Sequence, residues 1–166
     1  MHILATDYDG TLNRGGVSQA DRDAIDRFRK AGNLFGIVTG RASDMYASLV
    51  RDHVPFDFVI VMNGAMSIDT DGNTVFEETC DPSCIRGITE LIGNEEFSSY
   101  LSCVNHKTRY TFHAAHPDGS DKYDPLSKID EIPIFTQLNT WVKTDEPASK
   151  ATAAINANFG EYVNAL

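Results

Sequence analysis

The sequence predicts an α/β protein: a parallel sheet threaded by crossover helices, followed by a smaller α+β unit. Three observations predict it. Residues 2–64 alternate short apolar runs with helical stripes. The apolar runs are continuous rather than alternating, as in strands covered on both faces. Past residue 65 the rhythm changes to hairpin-like pairs separated by helices.

HILATD (2–7) is a short apolar run closed by an acid. Ser18 to Ala31 reads as a helix, with Ser18 as N-cap, Asp21 three residues on, and Ala20, Ala24, Ile25, Phe28 and Ala31 on one stripe. Gly32 is a suitable stop. LFGIVTG (34–40) is the second strand, Ser43 to His53 the second helix, broken by Pro55, and FDFVIVMNG (56–64) the third strand. Residues 66–78 form two β-like pieces around Asp71-Gly72, a hairpin signal. Asp81-Pro82 opens a helix to about Ile92. Residues 97–104, 109–115 and 137–143 are strand-like, 116–133 mostly loop, Ala148 to Asn158 a helix, and 161–166 the start of another strand.

The chain has 166 residues and a net charge of −10, from 14 basic and 24 acidic side chains. The deficit is even, with 7 basic and 12 acidic groups in 1–79 and the same in 80–166. No basic patch marks a nucleic-acid or anionic-membrane partner. No apolar run approaches the ~20 residues of a membrane span. MHILATDYDG leaves no room for a signal-peptide apolar region, which points to the cytoplasm. Cys80, Cys84 and Cys103 lack the close pairing of a zinc site and read as reduced, partly buried thiols.

In a parallel sheet the carboxyl ends of the strands share one edge, and ligands bind there. Those three ends carry Asp7-Tyr8-Asp9-Gly10-Thr11, Thr39-Gly40-Arg41 and Asn63-Gly64-Ala65. Two carboxylates, two hydroxyls, an amide and glycine turns suit an anion together with a metal. Asp7 ending the strand and Asp9 lying in the turn beyond it can both face one pocket.

These segments carry a family resemblance. ILATDYDGTL resembles the first motif of the haloacid-dehalogenase (HAD) superfamily, an apolar strand followed by DxDGT. FGIVTGR resembles its second motif, and VIVMNGAMSID the segment that follows in Cof-type members, largely sugar and small-metabolite phosphatases. The resemblance implies a Rossmann-like core over 1–79 and an α+β cap over 80–166, inserted after the third strand because residues 13–17 are too few to hold a domain. It implies a Mg2+-dependent phosphatase acting on a small phosphorylated metabolite. Asp7 would be the nucleophile that forms an aspartyl-phosphate, and Asp9 the general acid and base. Thr39 would bind a phosphoryl oxygen, with backbone N–H groups at Asp9, Gly10 and Gly40. Thr11, Arg41, Asn63 and Gly64 complete the implied phosphate and substrate contacts. Mg2+ would take the Asp7 carboxylate and the Asp9 carbonyl oxygen. An acid at position 9 favours a phosphatase over the P-type ATPase branch, which has threonine there.

The sequence also departs from that pattern. The family's third-motif Lys and fourth-motif GDxxxD are missing in their usual form. Lys150, and Asp121 with Asp124, are the available substitutes; a solvated helix and a solvated loop explain them as well. The family sheet places a further strand against the first one, so HILATD would be an exposed edge in these residues alone. The expectation is therefore an N-terminal portion of a longer phosphatase, inactive by itself. A phosphometabolite-binding relic without catalysis is the alternative. A receiver-type signalling module fits poorly, since Asn63 stands where its phosphoacceptor Asp would be and Asp57 lies at the wrong end of the strand.

Overall fold

A computed structural model describes residues 1–92, 101–104 (backbone only), 108–113, 116–140, 144–163 and 165. The chain divides into two compact units, Met1–Glu78 and Thr79–Leu166.

The first unit holds β1 (Ile3–Asp7), α1 (Gln19–Lys30), β2 (Leu34–Val38), α2 (Met45–Arg51), β3 (Phe58–Val61), β4 (Met66–Asp69) and β5 (Thr74–Glu77) in one sheet of order β1-β2-β3-β4-β5. The pairs β1–β2 and β2–β3 are parallel, while β3–β4 and β4–β5 are antiparallel. The sheet is therefore mixed, and the 66–78 hairpin extends it beside β3. Four residues link β3 to β4, too few for a crossover, so β4 can only run back along its neighbour.

Ser18 caps α1 as its sequence suggests: its hydroxyl accepts the Asp21 N–H at 3.1 Å and donates to the Asp21 carboxylate at 2.6 Å. Ile25 is the residue that α1 buries. At the far end of α2 the Val54 N–H donates to the Leu49 carbonyl, and His53 takes φ 51°. That turn ends the helix just before Pro55. In the hairpin, the Asp69 carboxylate accepts the N–H groups of Asp71 and Asn73, both at 2.9 Å, while Gly72 adopts φ 86°. The core of this unit gathers Phe35, Ile37, Met45, Leu49, Val59, Val61 and Met66, all 3% exposed or less.

β1 is an edge strand, as expected of HILATD in these residues alone: only β2 pairs with it among the described residues. Ile3 is 64% and Leu4 50% exposed, so this strand is not covered on both faces as its continuous apolar run suggested.

Asp57, just before β3, is a structural acid. Its carboxylate accepts two guanidinium N–H groups of Arg29, at 3.0 and 2.8 Å, and the Phe35 N–H at 2.8 Å. Hydrogen bonding from Arg29, helped by the Phe35 N–H, outweighs partial burial and holds the carboxyl below its usual range. A depressed folded-state value stabilises above the unfolded carboxyl's pKa of about 4 and is lost as pH falls through the folded value. Asp57→Asn is expected to cost about 1–2 kcal/mol at neutral pH. It should also flatten the acid limb of the stability curve, as urea unfolding at a series of pH values would show.

The second unit holds α3 (Ser83–Ile92), β6 (Leu101–Val104), β7 (Arg109–Phe112), a short 3-10 helix (Leu126–Glu131), β8 (Gln137–Thr140) and α4 (Asp145–Phe159). Its antiparallel sheet has the order β7-β6-β8. Ile85, Ile88 and Ile92 of α3 join Phe112, Ile129, Phe135 and Ile155 in its core. Gly87 lets the Phe159 ring lie against α3, since a Cβ there would come within 2.6 Å of it. Cys84 belongs to this core, and burial pushes its thiol up to about 11, which makes it packing rather than a nucleophile. α4 starts three residues earlier than the sequence suggests, with Asp145 and Glu146 in its first turn, where acids are favoured and Pro147 is tolerated. The strand expected over 161–166 is overturned at its start: the Tyr162 and Val163 N–H groups donate to the Phe159 carbonyl in a turn. Residues 164 and 166 lie outside the described residues, as do 97–100, 114–115 and 141–143 of the other expected strands.

Candidate functional site

Asp7 is the last residue of β1, and the chain turns sharply beyond it. The Asn13 N–H donates to the Tyr8 carbonyl at 2.7 Å, and the Gly10 N–H donates to the Asn13 carbonyl at 3.0 Å. Gly10 has φ 74°, which glycine supplies without strain. Successive residues part here: Tyr8 is 4% exposed, whereas Asp7 and Asp9 stay in solvent. The Thr11 hydroxyl donates to Asp7 Oδ2 at 3.1 Å and steadies one carboxylate oxygen. One expectation changes. The Gly10 N–H, foreseen as a phosphoryl donor, is engaged in closing the turn.

The end of β2 supplies Thr39, Gly40 and Arg41. Thr39 is 4% exposed; its N–H donates to the Ile60 carbonyl at 2.9 Å, and its hydroxyl oxygen accepts the Arg41 N–H at 3.2 Å. That hydroxyl still has a proton to donate. The end of β3 turns through Met62, Asn63 and Gly64, with φ 53°, 56° and 102°. The Met62 N–H donates to the Arg41 carbonyl at 2.8 Å, fastening this turn to the preceding one. A Cβ on Gly40 would lie 2.6 Å from Asn63 Oδ1, so glycine is what admits the amide there.

The Arg41 side chain crosses to Asp9. Its Nε donates to Asp9 Oδ2 at 2.7 Å and a terminal nitrogen donates to Oδ1 at 2.6 Å, with the guanidinium 5.4 Å from the centre of the Tyr8 ring. Asp9, chiefly by hydrogen bonding, raises the Arg41 pKa further. Reading strand ends had suggested Arg41 as a phosphate contact but missed its bond to Asp9 and the shelf formed by Tyr8. The only signal for the shelf was the alternation in Asp7-Tyr8-Asp9. The turn also borders a recess of about 590 Å³ behind Tyr8, lined by Asn13, Gly15, Gly16, Val17, Arg22 and Asp52. Neither Asp7 nor Asp9 lines it.

Of the nine residues foreseen from sequence, Asp7 closes β1, and Asp9, Gly10, Thr11, Thr39, Gly40, Arg41, Asn63 and Gly64 occupy the turns after β1, β2 and β3 in the first unit. As to a metal, one Asp7 oxygen and the Asp9 carbonyl accept no hydrogen bond among the described residues. Two hard oxygens open to solvent fit a divalent cation that keeps several waters. Among the described residues, no group of three or more His, Cys, Asp or Glu comes together. Lys150 lies in the second unit, paired with Glu146 at 3.2 Å. Asp124 accepts the Thr111 N–H at 2.9 Å and pairs with Lys128 at 2.8 Å, which ties its loop to β7; Asp121 is exposed. No described helix is long and apolar enough to cross a membrane.

A family model described as haloacid dehalogenase-like hydrolase matches residues 4–163. No curated protein matches the chain. Among solved structures, a haloacid dehalogenase-like hydrolase from B. subtilis superimposes with TM-score 0.72 at 18% identity, over 95% of this chain and 67% of that one. A subclass IIB sugar phosphatase of the same superfamily gives 0.72 at 14% identity, over 93% and 64%. A phosphatase from Bacteroides thetaiotaomicron gives 0.55 at 24%, over 90% and 51%. At these identities the likeness is one of fold, and the chain spans about half to two thirds of the length of these proteins.

Proposed function

The chain belongs to the haloacid dehalogenase-like hydrolase family, and from that premise we propose that it carries the nucleophile of a phosphatase for a small phosphorylated metabolite, foremost a sugar phosphate. The observation that carries this function is the placing of Asp7 and Asp9 at the end of β1, beside Thr39 and Asn63 at the ends of β2 and β3. Asp7 attacks phosphorus and displaces the alkoxide, forming an aspartyl-phosphate. Asp9 protonates the departing oxygen and then takes a proton from the water that hydrolyses the intermediate. The Thr39 hydroxyl binds a phosphoryl oxygen, with the Asp9 N–H as a backbone donor. The Asp7 carboxylate and the Asp9 carbonyl would hold Mg2+, which supplies charge neutralisation for the phosphoryl group when bound. The second unit would act as the cap that selects the leaving group. One of the solved neighbours is a sugar phosphatase, which supports that substrate class.

A second function is favoured by one observation. Lys150 pairs with Glu146 and Asp124 with Lys128, both within the second unit, which is what a solvated helix and a solvated loop predict for them. A phosphometabolite-binding protein without turnover would have the same first unit. Phosphate release from an aryl phosphate and from a panel of sugar phosphates, by the protein in its full reading frame, decides between them. The phosphatase releases phosphate with Mg2+, stops on chelation and resumes when Mg2+ is restored. Binding of sugar phosphates without release establishes the relic.

A further inference from the structure

We propose that Arg41 is a latch worked by the substrate: its guanidinium holds Asp9 in the resting site, and an incoming phosphoryl group takes the guanidinium from Asp9 and so frees the acid. The inference rests on the assignment of Asp7 and Asp9 as the catalytic pair.

The geometry sets the resting aim of Asp9. Both Asp9 oxygens are bonded to Arg41, at 2.7 and 2.6 Å. Each oxygen keeps a second lone pair, but the fork turns the carboxylate toward Arg41 and holds it in that plane. Turning it toward a leaving group or a water requires the pair to loosen. Opening is feasible because the two side chains are 48% and 49% exposed, where water screens the attraction.

A phosphoryl group is the natural competitor. The guanidinium fork matches the paired oxygens of a phosphate as well as those of a carboxylate, and a phosphate dianion carries the larger charge. The backbone of Arg41 is fixed meanwhile, by its N–H bond to the Thr39 hydroxyl and by its carbonyl bond from Met62. The buried Tyr8 ring lies 5.4 Å from the guanidinium and offers it one fixed face. Only the Arg41 side chain then has to move, and it starts beside Thr39. Arg14, the other cation at this turn, donates to the Gly10 carbonyl at 3.1 Å and touches neither Asp9 oxygen.

Inorganic phosphate, titrated calorimetrically in metal-free buffer, tests this without reference to turnover. Four proteins are compared: the unaltered chain, Asp9→Ala, Arg41→Ala and the double variant. Removing Asp9 should tighten phosphate binding about tenfold while Arg41 is present, and less than twofold once Arg41 is alanine. Arg41→Lys, which keeps the charge but loses the fork, should show an intermediate gain. Arg14→Ala should leave the tenfold gain in place. Equal gains from Asp9→Ala with and without Arg41 would mean plain charge repulsion and would overturn the latch, as would absence of phosphate binding by Asp9→Ala. Both exchanged side chains are exposed, so thermal melts should match in all variants. A chain that shows the coupling yet releases no phosphate keeps the latch and loses the phosphatase; release without coupling does the reverse.

Discussion

Asp7→Asn should lower phosphate release by at least about 10⁴-fold, a loss comparable with removal of other enzyme nucleophiles. The amide has the size of the carboxylate and can still accept the Thr11 hydroxyl bond. It has no nucleophilic oxygen for an in-line attack on phosphorus, and the solvent reaction is all that remains. Asp7 is exposed at the end of β1, so the melting temperature should hardly move. The loss is then one of chemistry and not of folding. Asp9→Asn should behave differently. The nucleophile survives, the first displacement proceeds with a good leaving group such as an aryl oxide, and hydrolysis of the intermediate stalls. Rapid acid quench with labelled aryl phosphate should trap label on protein with Asp9→Asn and none with Asp7→Asn. Asp7→Asn retaining a tenth of the activity would remove Asp7 from the role of nucleophile.

Much of the first unit was legible because its signals are local. Apolar runs at 2–7, 34–40 and 56–64, a serine cap at 18 and Asp71-Gly72 each determine their own element, and strand ends in a parallel sheet converge by topology. The 66–78 hairpin was legible too, while its antiparallel pairing beside β3 rests on the four-residue link that the structure shows. What escaped depends on partners. The open edge at β1 was foreseen only through the family pattern and not from ILATD itself, since Ile3 and Leu4 look the same in a buried strand as in an open edge. The site divides along the same line. Carboxylates, hydroxyls and glycine turns could be placed from spacing. The Gly10 N–H was assigned to phosphate because a turn closed by the Asn13 carbonyl leaves no trace in composition. The bond from Arg41 to Asp9 spans 32 positions and depends on which side chains a buried tyrosine brings together.

Gly36 provides the sharpest test of how the sheet that holds this site is packed. It pairs with Phe58 across β2 and β3, and a Cβ at Gly36 would fall 2.1 Å from two atoms of the Phe58 ring. Carbon atoms in contact settle at about 3.5–4.0 Å, so the ring must leave its place. Phe35 and Ile37, at 3% and 0% exposure, fix the strand on either side and deny the backbone an easy shift. Valine is a good strand former, and replacing glycine also reduces the freedom of the unfolded chain. Both effects favour Gly36→Val, so any destabilisation must come from the clash. We expect a loss of about 3 kcal/mol, the upper range for overpacking. In a unit of this size that corresponds to a fall in melting temperature of roughly 12–24 °C. Phe58→Ala removes the obstructing ring, and in that background the valine should be neutral or stabilising. Such a sign change in a double-mutant cycle is beyond what altered propensity could produce. A cost that persisted without the ring would place the constraint in the backbone of β2 instead, and Gly36 would then be needed for its own conformation and not for the room it leaves Phe58.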